Sequence, residues 1–181
     1  MKRRALICLL LIISFLLCGC GHIGDEEEVL KAAEDIFRRA DVIETVFYGE
    51  GLPLKEGEGV FREVDFSRAE GMPFRDEESL RAFLERYCSG SLCDALWASG
   101  KYEIKNGNFV MNTSVFQIGG RSTFVLSDLK VVSIGNSRSR VKIPVLTEKN
   151  GERTEWVLEA ELLYEDGDWK LATEPIPSEE K

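Results

Sequence analysis

Five cysteines and one histidine are the residues of this 181-residue sequence whose chemistry is most specific. Cys88 and Cys93 stand five apart at the end of a helical stripe, with Ser89-Gly90-Ser91 between them to turn the chain. A disulfide at that spacing is sterically feasible and would pin the helix end. No metal is expected there, because two thiolates need further ligands and no suitable histidine exists. His22 lies outside any periodic segment and cannot belong to a preformed pocket, which argues against Ser/His/Asp and Cys/His catalysis. Gly119-Gly120 lacks the Lys-Ser/Thr and the helix that a phosphate cradle requires, so it reads as a turn. A two-carboxylate hydrolase needs an acid on a buried face, where its pKa rises. Glu159 and Glu161 alternate with an apolar row and so face water, whereas Asp65, Glu70 and Glu78 flank an unassigned loop and stay open. The expectation is a domain that is not an enzyme and carries no cofactor.

Cys20 has a different chemistry in view. Lys2-Arg3-Arg4 is a positive start, and Ala5 to Leu17 is an apolar run of 13 residues. As a helix that run spans ~20 Å, short of the ~30 Å hydrocarbon core that a spanning helix must cross. It fits the apolar region of a signal peptide. Leu17-Cys18-Gly19-Cys20 resembles the bacterial lipobox, with Cys18 an uncommon residue at its position. The lipobox implies diacylglycerol on the Cys20 sulfur and cleavage after Gly19. Two or three acyl chains anchor stably where one does not. Cys8 and Cys18 leave with the signal and Cys20 takes lipid, so Cys88 and Cys93 remain as an even pair outside the cytosol. Asn112-Thr113-Ser114 matches a glycosylation acceptor, a machinery that a bacterial lipoprotein rarely meets.

The expected divisions are a signal over 1–19, a lipidated tether over 20–28, one domain over 29–176 and a tail over 177–181. Loss of Lys2, Arg3 and Arg4 takes the 23 basic residues to 20 against 32 acidic, and the formal charge from −9 to about −12. Such a field repels nucleic acid and attracts basic partners.

The elements that must position these residues follow from periodicity. Asp25-Glu26-Glu27-Glu28 puts negative charge on the first turn of a helix that runs to about Phe47, through Val29, Ala33, Ile36/Phe37, Ala40 and Ile43. Residues 54–75 read as loop with one extended piece at Val60/Val64. Asp76 caps a second helix with the stripe Leu80, Phe83, Leu84 and Tyr87, and Leu92 to Trp97 forms a third. From Tyr102 the pattern alternates, broken at Asn106-Gly107, Gly119-Gly120, Gly135-Asn136, Asn150-Gly151 and Asp166-Gly167. Val141/Ile143/Val145 and Trp156/Leu158/Ala160/Leu162/Tyr164 form the inward rows. The class is α+β, N-terminal helices packed on a twisted antiparallel β-sheet of about five to six strands. Phe47, Tyr48, Phe61, Phe66 and Phe74 lie in or beside the glycine-rich stretch, where they plug the core edge or face a partner.

Three stretches carry a family resemblance: Phe47-Tyr48-Gly49, the helix from Phe74 to Tyr87, and the closing Asp166-Gly167-Asp168-Trp169-Lys170-Leu171. Over residues 29–176 the chain resembles the IseA-type D,L-endopeptidase inhibitors, and more loosely the nuclear-transport-factor-2-like domains. The resemblance implies an α+β domain that binds a cell-wall hydrolase without catalysis. The membrane, through lipid on Cys20, and a basic cell-wall hydrolase are the expected partners. The alternative is a small-ligand-binding or sensor lipoprotein, for which the apolar inward rows leave little space.

Overall fold

A computed structural model describes residues 24–115, 121–149 and 151–176. Cys20 and His22 lie outside the described residues, as do Gly119-Gly120 and Asn150.

Helix α1 spans Glu26–Ile43, and Asp25 caps it by accepting the Glu28 amide at 2.8 Å. Glu26 to Glu28 form its acidic first turn as the sequence pattern indicates, so the helix begins inside the 20–28 stretch expected as tether. Val29, Ala33, Ile36, Phe37, Ala40 and Ile43 are all buried, one face at helical spacing. The helix then widens into a π-turn, Glu44–Tyr48, where the Gly49 amide reaches back to the Glu44 carbonyl at 2.8 Å. Helix α2 spans Glu77–Tyr87 behind a reciprocal cap: Asp76 accepts the Ser79 amide, and Ser79 Oγ accepts the Asp76 amide. Helix α3 spans Gly90–Ala98 and is capped by Ser89. Among the described residues no helix is long and apolar enough to cross a membrane.

The strands divide into two antiparallel sheets. In the smaller, β3 (Asn108–Asn112) lies between β1 (Phe61–Glu63) and β2 (Tyr102–Lys105). Asn106 and Gly107 both have positive φ, as the expected tight hairpin requires. The larger contains β4 (Arg121–Phe124), β5 (Lys130–Gly135), β6 (Arg138–Lys149), β7 (Glu152–Glu165) and β8 (Asp168–Leu171). Its order is β4-β6-β7-β8, with β5 also paired to β6. The long strand β6 carries β4 on its Val145–Glu148 stretch and β5 on its Arg138–Lys142 stretch. Between β5 and β6 the residue of positive φ is Ser137, one step beyond the expected Gly135-Asn136.

Alternation does the rest. Val141, Ile143, Val145 and Leu162 are fully buried, and Leu158 and Ala160 nearly so. α1 fills this face, with Phe37 and Phe124 ring centroids 5.5 Å apart. The open edge of β8 is sealed by the α2–α3 junction, where Cys88 bridges Leu171 and the Ser89 amide donates to the Leu171 carbonyl at 2.8 Å. Phe47, Phe66 and Phe74 turn inward into an aromatic cluster with Phe83, Trp97, Tyr102 and Phe109; Tyr102 and Phe109 stack 6° from parallel. Of the five aromatics weighed for a partner surface, Phe61 is the exposed one, at 38%, with the Lys105 ammonium 3.6 Å above its ring.

Candidate functional site

The filled sheet face leaves space at its edge. A half-open cleft of about 410 Å³ lies between α1, the end of α2 and the β7–β8 hairpin. One face of α1 supplies Glu28, Lys31, Ala32, Asp35 and Ile36, positions three or four apart that lie one above another. Arg86 and Tyr87 come from α2, and Tyr164, Gly167, Asp168 and Trp169 from the hairpin. Three aromatic side chains wall it. Tyr164 and Trp169 meet edge to face at 5.4 Å, and the Trp169 indole N–H donates to Glu28 at 3.1 Å. Lys31, Asp35, Arg86 and Asp168 are exposed around the rim. The cleft thus sets aromatic walls among charged side chains of both signs, a mixed lining, and its volume lies in the range of ligand sites.

The cleft is tied to the start of the fold. Gly24 is buried against Trp169, so close that a side chain there would meet the indole Cζ2 at 2.9 Å. Gly24 is four residue steps from Cys20, a reach of at most ~14 Å even when fully extended.

The acids named from sequence are dispersed. Glu159 and Glu161 pair across β6 and β7 with Lys142 and Arg138, the latter at 3.1 Å. Asp65 accepts the Ser67 hydroxyl and amide, and these bonds hold its carboxyl below the usual carboxylate range, opposite to the shift a general acid needs. Glu70 and Glu78 are exposed.

The buried acid is instead Glu44, 6% exposed at the start of the π-turn. It accepts the Ser122 hydroxyl at 2.6 Å; Ser122 and Thr147 hydroxyls lie 3.1 Å apart, and Trp156 donates its indole N–H to Thr147 at 2.9 Å. The chain of bonds fastens the end of α1 to β4, β6 and β7. Its signal was present in the sequence, because Glu44 stands four residues after Ala40 on the apolar stripe.

A second buried charge was also missed. Lys101 is fully buried beside Tyr102 and donates from Nζ to the Gly49 carbonyl at 2.7 Å. Tyr102 donates to the Val46 carbonyl at 2.9 Å and accepts the Leu52 amide at 3.0 Å. The two side chains thus satisfy carbonyls at the end of the π-turn, where a cation is also favoured by the helix dipole. Burial pulls the Lys101 ammonium down to about 8. Gly51 seals this site with φ +82, and a Cβ there would collide with Met111 Sδ. Gly51→Ala is therefore expected to cost more than ~1 kcal/mol in urea unfolding, since both backbone and packing object. An unchanged midpoint would show that the turn is looser than this.

Cys88 and Cys93 are both thiols and both buried, brought together across the α2–α3 junction as their spacing suggested. The Cys93 sulfur lies 3.8 Å from the Cys88 carbonyl oxygen.

The chain matches no protein-family profile and no curated protein.

Proposed function

We propose that this chain is a lipid-anchored extracytoplasmic lipoprotein whose domain binds a protein partner without catalysis, and that the partner is a cell-wall D,L-endopeptidase. The observation that carries the reading is the aromatic-walled cleft beside Gly24, within ~14 Å of Cys20 along the chain. With lipid on Cys20, the cleft stays close to the membrane surface. A partner that works on the wall near its inner face meets it there. The acidic domain, about −12 after processing, favours a basic enzyme and speeds its encounter. Docking then inhibits by covering the enzyme's own cleft.

The test is peptide cleavage by purified NlpC/P60-type enzymes with residues 21–181 in micromolar excess. Inhibition is expected to weaken as salt rises from ~50 to ~500 mM, because the Debye length falls from ~14 to ~4 Å. Reversing two rim charges, Asp35→Lys with Asp168→Lys, is expected to weaken inhibition about tenfold at low salt. Full inhibition that ignores both changes removes charge from the mechanism, and no inhibition of any wall hydrolase ends this reading. A second reading, a small-ligand-binding or sensor lipoprotein, is favoured by the cleft volume itself. It expects a small molecule protecting Trp169 fluorescence from quenching, with no hydrolase bound.

A further inference from the structure

We propose that Cys88 and Cys93 form a thiol–disulfide exchange site, in which Cys93 reacts first with an external disulfide and Cys88 resolves it to an intramolecular bond. Geometry sets the order. Cys93 is 9% exposed, in the first turns of α3 between the exposed Ser91 and Asp94, whereas Cys88 is 1% exposed beneath the β8 edge. Of the two buried thiols Cys93 is the one nearer the surface, so a second molecule meets it first, and Cys88 lies within hydrogen-bonding reach of it. Their acidities run the same way. The hydrogen bond from Cys88 favours the Cys93 thiolate, while that shared proton and burial push the Cys88 thiol up. The charge of Lys170, whose ammonium is paired with Asp166 at 2.9 Å, favours thiolate at both sulfurs, against Glu85 and Asp94 on the Cys93 side.

The chemistry balances with one oxidant, a small-molecule or protein disulfide RSSR. Cys93 thiolate attacks one sulfur, the S–S bond breaks, and RS⁻ leaves and takes up a proton. Cys88 then loses its proton and attacks the Cys93 sulfur, expelling the second RS⁻. Two protein thiols give up two electrons and two protons in all, and RSSR becomes two RSH. The new bond would tie the end of α2 to the start of α3, next to Arg86 and Tyr87 in the cleft wall. Outside the cytosol such oxidants are the norm. The proposal borrows only its setting from the export reading, and the exchange itself is independent of any partner.

The experiment uses the processed, lipidated protein, in which Cys88 and Cys93 are the remaining thiols, reduced in detergent and treated with oxidised glutathione, then quenched by acid and mapped by mass spectrometry. Wild type is expected to lose both thiols to one internal disulfide, with early quenches showing glutathione on Cys93. Cys88→Ser is expected to stop with glutathione on Cys93, and Cys93→Ser to react at least tenfold more slowly than Cys88→Ser while folded. Denatured samples of both variants should react alike, which separates access from intrinsic reactivity. Wild type that keeps two thiols, accumulates glutathione on both cysteines, or is first modified at Cys88 overturns the proposal. If either variant fails to fold, the early wild-type quenches decide it alone. None of these outcomes depends on hydrolase inhibition.

Discussion

Cells given a tagged palmitate are expected to label the wild-type chain and to leave Cys20→Ser entirely unlabelled, while Cys88→Ser and Cys93→Ser keep the label. The difference is expected to be all or none, because in the proposed lipoprotein a single sulfur carries the thioether. Its consequence for anchoring is nearly as large. Each buried methylene contributes about 0.8 kcal/mol, so one chain binds marginally and a second makes release negligible. The processed wild type should partition wholly into detergent, and a form beginning at Gly21 wholly into water. The fold accommodates this arrangement with little slack. Gly24 is already buried on Trp169 and Asp25 already caps α1, which leaves Gly21 to Ile23 as the link between anchor and domain. Label that persists in Cys20→Ser would end the lipobox reading.

How far the fold was legible depended on whether a residue's neighbours are local. The acidic first turn after Asp25, the stripe from Val29 to Ile43 and the cap at Asp76 are relations within a few residues, and local pattern exposes them. That Asp25 itself is the cap and that Ser79 completes the second one was not read from it. The inward rows of β6 and β7 were legible because alternation over many residues has one physical reading. The partition into two sheets was not. The β2–β3 hairpin alternates like the later strands, and nothing local says that β3 turns back to pair with Phe61–Glu63. The cleft escaped for the same reason. Lys31 and Asp35 look like an ordinary solvated helix face until Trp169, more than a hundred residues later, folds against Glu28. Buried charge was harder to foresee: Glu44 stands on the apolar stripe, but that it and Lys101 stay inside depends on distant partners such as Ser122 and the Gly49 carbonyl.

Lys101 gives the domain an unusual dependence on pH. Its ammonium is held by the Gly49 carbonyl, and among the described residues no carboxylate pairs with it. Folding therefore penalises the charged form, and the proton leaves near 8 instead of the ordinary 10.5. Between those values the unfolded chain binds more protons than the folded one, so stability rises with pH across that window. Below about 8 the penalty is present in full. Each tenfold displacement is worth ~1.4 kcal/mol, which sets a ceiling of roughly 3 kcal/mol, and solvent screening lowers the expected rise to about 2 kcal/mol. Tyr48 and Tyr102 set the upper end, preceded from about pH 9 by the Cys88 thiol, which its hydrogen bond with Cys93 and burial push up. Burial pushes both phenols above their ordinary range, with Glu174 adding to the shift at Tyr48. Above pH 10 the unfolded chain loses phenolic protons that the folded one keeps, and stability falls again. Urea midpoints should climb from pH 7.5 to about 9 and then decline. Lys101→Met removes the titrating group while filling much of its space, though it leaves the Gly49 carbonyl without its donor. Its absolute stability is therefore a poor readout, and the slope is the diagnostic one. Its curve should be nearly flat up to about pH 9 and keep the decline above it. Parallel curves for the two proteins would mean that Lys101 reaches water in the folded state.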